Sequence, residues 1–354
     1  MKKSFSILFL LALLAVGCKK SNVTAPAKKA TLYFAGADGN NAVYWENGVE
    51  HTLPSTKGAE VRSISVSGAD VYFTGDEGPG VEVSYPGPAV YWKNGVEYTI
   101  PYLNSIIDAN GDNYLSLDLV SKIVFSGTYM FIGGTHDDRA VDWVNGVEEM
   151  QPTINSNFPN SYVNDMVLSG PDLYLAGYDG PDNLPTYWRS GVETVLPVAD
   201  TLKSDPLHPL AIGEVSRICV SGPDVYCSGW DGWTLAYWKN GAEHTLPVIN
   251  KQTTAATTGN ILGIGLSGSD LYITGRDGNS AVYWKNGVET KLSSSGTAAA
   301  LGIAFIGSDV YIVGDDTMTS NKIVPVYWKN GTEITLPHVD PSYGIGFAVA
   351  VANQ

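Results

Sequence analysis

One short phrase, built on Trp-x-Asn-Gly, returns seven times along this chain of 354 residues. The copies read AVYWENGVEHTLP from Ala42, AVYWKNGVEYTIP from Ala89, AVDWVNGVEEMQP from Ala140, PTYWRSGVETVLP from Pro185, LAYWKNGAEHTLP from Leu235, AVYWKNGVETKLS from Ala281 and PVYWKNGTEITLP from Pro325. Similar units that cannot bury their apolar faces alone must stack on one another and share a core.

Each unit reads as four short strands. In 61–101 the segments VRSISVSG, DVYFTGDE, AVYWK and VEYTIP alternate large and small residues with the period of a strand. Asn-Gly between alternating hydrophobics is a strong hairpin signal, because both central residues of a type I′ turn need positive φ. Six units have it, and Ser190-Gly191 is the exception. A two-residue turn at Asn94-Gly95 sets Lys93 opposite Val96 and Trp92 opposite Glu97. Large apolar groups then stand on both faces of the hairpin, so both faces are expected to be covered, as in the blade of a propeller.

The ends of the chain set the closure. The first unit has no opening strand and starts at Thr31-Leu32-Tyr33-Phe34-Ala35-Gly36, which matches a second strand. The last residues, Gly344-Ile345-Gly346-Phe347-Ala348-Val349, read as an opening strand, aligned on Gly263-Ile264-Gly265-Leu266 and Gly302-Ile303-Ala304-Phe305. The expected fold is all-β: a seven-bladed β-propeller of four-stranded antiparallel blades over 31–354, closed by the C-terminal strand joining the N-terminal blade. A linear solenoid would leave those terminal strands unpaired.

Ahead of the repeats, Lys2 and Lys3 precede an apolar run from Phe5 to Val16, too short to span a bilayer and suited to an export signal. Ala15-Val16-Gly17-Cys18 resembles a bacterial lipobox. The reading is a lipoprotein signal peptide over 1–17, lipidation at Cys18, and a flexible tether over 18–30. Cys219 and Cys227 flank the turn at Ser221–Asp224, and their register points them to opposite faces of the sheet, so two buried free thiols are expected. A net charge of −15 repels phosphate-rich partners, which argues against nucleic acid.

Turns between first and second and between third and fourth strands share one end of the ring and hardly vary. Connections at the other end vary widely: Glu77–Pro88, Tyr102–Leu117, Val198–Ile212, Val248–Gly259 and Asp316–Val324. Function is expected there, on loops shown by a rigid scaffold. Candidate ligand-binding residues are Tyr178, Asp179, Trp230, Asp231, Trp233 and Asp277, since aromatic platforms beside carboxylates suit sugar rings. The same Asp-Gly pairs also read simply as turn formers. Before the regular Ile or Met of the opening strand stand Ser63, Lys122, Asp165, Arg217, Gly263, Gly302 and Gly344. Lys122, Asp165 and Arg217 read as a channel-mouth set for an anion, or as an inter-blade salt bridge. Asp108, Asn110 and Asp112 space their oxygens like a calcium loop, but Asn113 stands where such loops need Gly and the twelfth-position Glu is missing. His51 and His244 share a place in the fourth strand and read as structural.

No nucleophile elbow, phosphate loop or zinc helix occurs, and the five arginines form no sialidase-like triad. The Tyr-Trp-Lys-Asn-Gly repeats with the lipobox resemble repeat-bearing lipoproteins of Bacteroidota-like bacteria, over nearly the whole mature chain. That resemblance implies an envelope address, with the outer membrane expected, but no activity. The expected function is a lipid-anchored, non-catalytic binding module, a monomeric propeller without cofactor, for a glycan or an envelope protein. A structural or assembly scaffold, then a glycan-processing enzyme, are the alternatives.

Overall fold

A computed structural model describes residues 30–55, 58–77, 89–99, 106–107, 113–114, 119–136, 138–153, 160–198, 213–232, 234–249, 259–293, 297–317 and 322–353. Seven four-stranded antiparallel sheets make up the ring. Blade 1 joins Gly344–Asn353 to Ala30–Asp38, Asn41–Glu46 and Val49–Thr52, so the C-terminal strand closes the propeller. Blade 2 starts at Ala59–Ser67, blade 3 at Leu119–Ser126, blade 4 at Tyr162–Ser169, blade 5 at Gly213–Ser221, blade 6 at Gly259–Ser267 and blade 7 at Thr297–Ile306. These first strands touch one another in an unbroken circle and form the inner wall. The fourth strands, from Val49–Thr52 round to Thr332–Thr335, are outermost in every sheet.

The turns follow from the sequence. All seven third-to-fourth turns have positive φ at both central residues, 45 to 52° at the first and 78 to 84° at the Gly, and Ser190 adopts the same strained conformation as the asparagines. Between first and second strands only the Gly is positive, as at Gly222 (57°), which is the type II′ pattern. The two turns are splinted together. Asn94 Oδ1 accepts the Val71 amide at 2.9 Å and Asn94 Nδ2 donates to Asp70 at 2.8 Å, while the Asn94 amide donates back to the Val71 carbonyl. Asn240 does the same with Val225 and Asp224. Lys93 completes the set, 2.7 Å from Asp70 and over the Tyr72 ring.

The repeated Trp holds neighbours together. Trp45, Trp92, Trp188, Trp238, Trp284 and Trp328 are fully buried. Trp92 Nε1 donates to the Pro54 carbonyl of blade 1, Trp188 to Pro152, Trp238 to Pro197 and Trp284 to Pro247, each at the exit of the preceding blade. Trp45 donates to Pro337 at 2.7 Å and so ties blade 7 to blade 1. Trp328 faces Ser293 instead of a proline in the phrase and donates to its own blade's Glu333. Accordingly the apolar clusters lie between blades: Tyr174, Ala176 and Leu196 of blade 4 pack with Val215, Cys227 and Trp238 of blade 5. On the third strand both faces are covered, Trp92 on one side and Tyr91 against the Ile123 cluster of blade 3 on the other, but the outermost strand is open on the second face. Trp92 is sealed, but Val96 is 56% and Tyr98 43% exposed, because the outermost strand has no further neighbour across that face.

Every inner strand carries a β-bulge, the unpaired residues being Arg62, Ser121, Asn164, Ser216, Leu262, Leu301 and Phe347. The glycine of the second strand makes room for it: a Cβ on Gly229 would lie 1.9 Å from the Glu214 carbonyl oxygen. This pairing corrects the expected register of the closing strand. Gly346, not a residue before Gly344, lies opposite Gly36, so Ala348 rather than Gly344 is the counterpart of Gly263 and Gly302. Cys219 and Cys227 are free and face Tyr226 and Ile218 as expected, but Cys219 is only half-buried by exposure. Burial still pushes its thiol up to about 12.

Candidate functional site

Second strands run toward the loop end, so the residue after their glycine sits where the variable connections leave. In blades 4 to 7 this register reads Tyr178, Trp230, Arg276 and Asp315, all half-buried. Their cross-strand partners are Tyr162, Glu214, Asn260 and Ala299. Tyr178 stacks on Tyr162 at 5.0 Å between ring centroids, and Tyr162 donates its hydroxyl to Asp138 at 2.8 Å. Burial raises the Tyr178 phenol well above its usual range, with Tyr162 and then Glu214 of the next blade adding to it. Burial likewise raises Glu214, against the pull of Ser216 and Arg217. Asp315 is pushed up to about 6 by burial, offset by Arg276 of the neighbouring blade. Tyr343 rises to about 12, mainly through burial and then through Glu60 and Asp315.

These groups form a band of aromatic faces, carboxyls and one guanidinium at the loop end of the inner wall. Such a band can stack on an apolar ring face and accept or donate hydrogen bonds at its edges. Tyr178 and Trp230 belong to it as the sequence suggested; Glu214, Arg276, Asp315 and Tyr343 were missed. The register itself was the signal, one step past the recurrent glycine, whatever the residue type.

The three aspartates of the candidate set are turned inward. Asp179 and Asp277 are 0% and Asp231 is 8% exposed. Asp277 Oδ2 accepts the Ile249 amide at 2.9 Å from the exit of the preceding blade. Asp38, the blade 1 counterpart, accepts the Val339 and Asp340 amides at 2.6 and 2.9 Å. Asp38, Asp179 and Asp277 also meet the Glu that faces the repeated Trp of their blade. Burial, then the hydrogen-bonded Asp179, pushes Glu193 up to about 7, and burial with Asp277 does the same to Glu289. Carboxyls so paired favour holding a proton between them, and the aspartate of each pair is sealed from solvent. In blade 3 the place is taken by His136, 3.0 Å from Glu148.

Lys122, Asp165 and Arg217 lie halfway along their strands, not at the channel mouth. Lys122 Nζ is 2.7 Å from Asp165, whose other oxygen accepts the Ile218 amide of blade 5 at 3.0 Å. Arg217 donates instead to the Leu262 carbonyl of blade 6 at 2.8 Å and to Ser216. Asn164 and Ser121 also reach the next blade's carbonyls, at Val215 and Val163. The three therefore link four successive blades, each gripping the next in the same direction. His51 and His244 stack on Tyr44 and Tyr237 of their own blades at 4.7 Å. Cys18, Trp233, Asp108, Asn110 and Asp112 lie outside the described residues. Among the described residues no group of three or more His, Cys, Asp or Glu side chains is arranged to hold a metal.

No family model matches the chain, and no curated protein matches it in sequence. Among solved structures it is similar to the extracellular domain of a one-component system from B. thetaiotaomicron, at 12% identity and a TM-score of 0.43, over 90% of this chain and 38% of that one. Apo AztD from Citrobacter koseri is 12% identical with a TM-score of 0.44, over 92% of this chain and 98% of that one. The β-propeller domain of the Trilobed protease from Pyrococcus furiosus is 10% identical with a TM-score of 0.44, over 90% and 97%. Residue roles do not transfer at such distances, and the seven blades rest on this chain's own strand pairing.

Proposed function

We propose that this protein is a non-catalytic binding module of the cell envelope, anchored through lipid on Cys18, which takes a glycan or a protein segment at the loop end of the propeller. The observation that carries this reading is the band of Tyr178, Glu214, Trp230, Arg276 and Asp315, contributed by four successive blades at one register. Its members are half-buried, so each is both held in place and reachable. The turn end, by contrast, engages its polar groups in its own splints.

Glycan-array binding by the soluble propeller tests it. The wild type is expected to retain a defined set of glycans, and Trp230→Ala or Arg276→Ala to lose them while a cooperative melt shows the variant still folded. The anchor is tested separately, by fatty-acid labelling that Cys18→Ala abolishes. A scaffold role is the second reading. It draws on the outer rim, where Val49, Val147, Val192 and Val288 are 60 to 68% exposed. Recovery of a stable envelope complex through that rim, with an empty glycan array, would favour it.

A further inference from the structure

Blade 3 departs from the repeat at two positions whose side chains meet diagonally on one face of the same hairpin. The tyrosine of the phrase is Asp142, and the leucine before its proline is Gln151. Elsewhere that tyrosine lies on the next blade: Tyr44 stacks on Phe73 at 4.6 Å and Tyr327 lies 4.8 Å from Phe34. The leucine fills the same interfaces as Leu53, Leu196, Leu246 and Leu336. Between blades 3 and 4 the missing bulk leaves a half-open cleft of about 210 Å³, lined by Asp142, Glu149 and Gln151 against Leu173, Leu175 and Trp188. At roughly 30 Å³ per water this holds about seven water molecules, or a short organic chain.

The polar side of the cleft is uneven. Asp142 is 5% and Gln151 7% exposed, whereas Glu149 stands in solvent at the rim. Gln151 Nε2 donates to Asp142 Oδ1 at 2.5 Å, which fixes the amide's orientation. Gln151 Oε1 is sealed behind this bond, without a hydrogen-bond partner among the described residues, and Asp142 Oδ2 is left out of the bond to the amide. The residues lining the cleft include two carboxylates and no basic side chain. A buried carboxylate without a counter-charge is costly, and a cation from outside would remove that cost. A hard metal ion wants six or more oxygens, which these walls do not offer; a single ammonium on an alkyl chain needs few acceptors and an apolar floor.

We propose that the cleft between blades 3 and 4 is a binding site for a small organic ammonium ion, its charge on Asp142 and its alkyl part against Leu173, Leu175 and Trp188. This site is separate from the loop-end band and does not depend on it. Burial, with Glu149 adding, pushes the Asp142 carboxyl up to about 6. Binding of a cation favours the ionised form, so affinity falls as pH drops below 6.

Titration with n-butylammonium chloride at constant ionic strength, followed by calorimetry, tests the site, with n-butanol as the neutral control. The expected result is saturable butylammonium binding at pH 7.5, at least tenfold weaker at pH 5 and at least tenfold weaker in Asp142→Asn, with no butanol binding. The double variant Asp142→Tyr with Gln151→Leu restores the repeat, fills the cleft and is expected to fold with a raised melting temperature and no binding. Absence of butylammonium binding, equal binding of butanol, or affinity within twofold of wild type in either variant would overturn the proposal.

Discussion

The two ends of this ring are built from the same strands yet use their side chains in opposite ways. At the turn end nearly every polar residue of the phrase has an assigned partner within its own blade: Asn240 with Val225 and Asp224, Lys285 with Asp270. At the loop end the equivalent register changes from Tyr178 to Trp230 to Arg276 to Asp315, and the contacts vary with it, Tyr178 stacking on Tyr162 of its own blade and Asp315 feeling Arg276 of the neighbouring one. Repetition therefore marks the part of the molecule that builds it, and divergence within the repeat marks where it can recognise something. The cleft of blade 3 obeys the same rule, since it lies where the phrase itself is broken.

The sharpest way to break this comparison is at a residue repeated in every blade. Trp238→Ala removes a buried ring and its bond to Pro197 from the blade 4–5 interface, and is expected to cost about 3–5 kcal/mol in denaturant unfolding. A loss within experimental error would show that the phrase is not the clasp between blades. Next comes the splint. Asn240→Gly keeps the positive φ but deletes the acceptor for the Val225 amide, with an expected loss of about 1 kcal/mol. Conversely Ser190→Asn adds a side-chain acceptor for the Leu173 amide to the splint that Ser190 and Arg189 already make with Asp172, and is expected to gain somewhat under about 1 kcal/mol. A destabilised Ser190→Asn would mean that the splint is incidental to the turn.

The smallest expected effect is with pH. Glu193 and Glu289 titrate near 7 in the folded protein and near 4.3 when unfolded, so the folded state holds protons that the unfolded chain has released. Stability is then expected to be greatest near pH 4.5–5, to fall as pH rises from there to about 7, and to level off above. Solvent at these partly exposed groups keeps the change modest. Below pH 4 the turn-end acids, such as Asp70 held low by Lys93 and Asn94, protonate and the stability falls again. Thermal melts at pH 5 and 7.5 check the sign; Glu193→Gln together with Glu289→Gln is expected to flatten the difference.

Most of the fold was legible because local signals agreed with the global pattern: alternation, Asn-Gly turns and the complementary chain ends all point to seven closed blades. The bulges were not. Arg62, Ser121, Asn164, Ser216, Leu262, Leu301 and Phe347 share no property, since a bulge is a matter of spacing and not of residue type. The closing strand was shifted by four residues for another reason: Gly344-Ile345-Gly346-Phe347 imitates the glycine-rich inner strands of blades 6 and 7. The site was half legible. Aromatic residues at Tyr178 and Trp230 announced it, but Asp179, Asp231 and Asp277 read as exposed turn acids, because the glutamates that cover two of them come from a strand two places away in the sheet.

The most direct measurement pairs one loop-end and one turn-end substitution on the same glycan array with melting curves alongside. Trp230→Ala is expected to abolish binding in a protein that still folds, although the indole also packs against the blade 5–6 cluster, while Asn240→Gly is expected to lower the melting temperature and leave binding intact. Binding that survives Trp230→Ala and vanishes in folded Asn240→Gly would contradict the division of labour between the two ends.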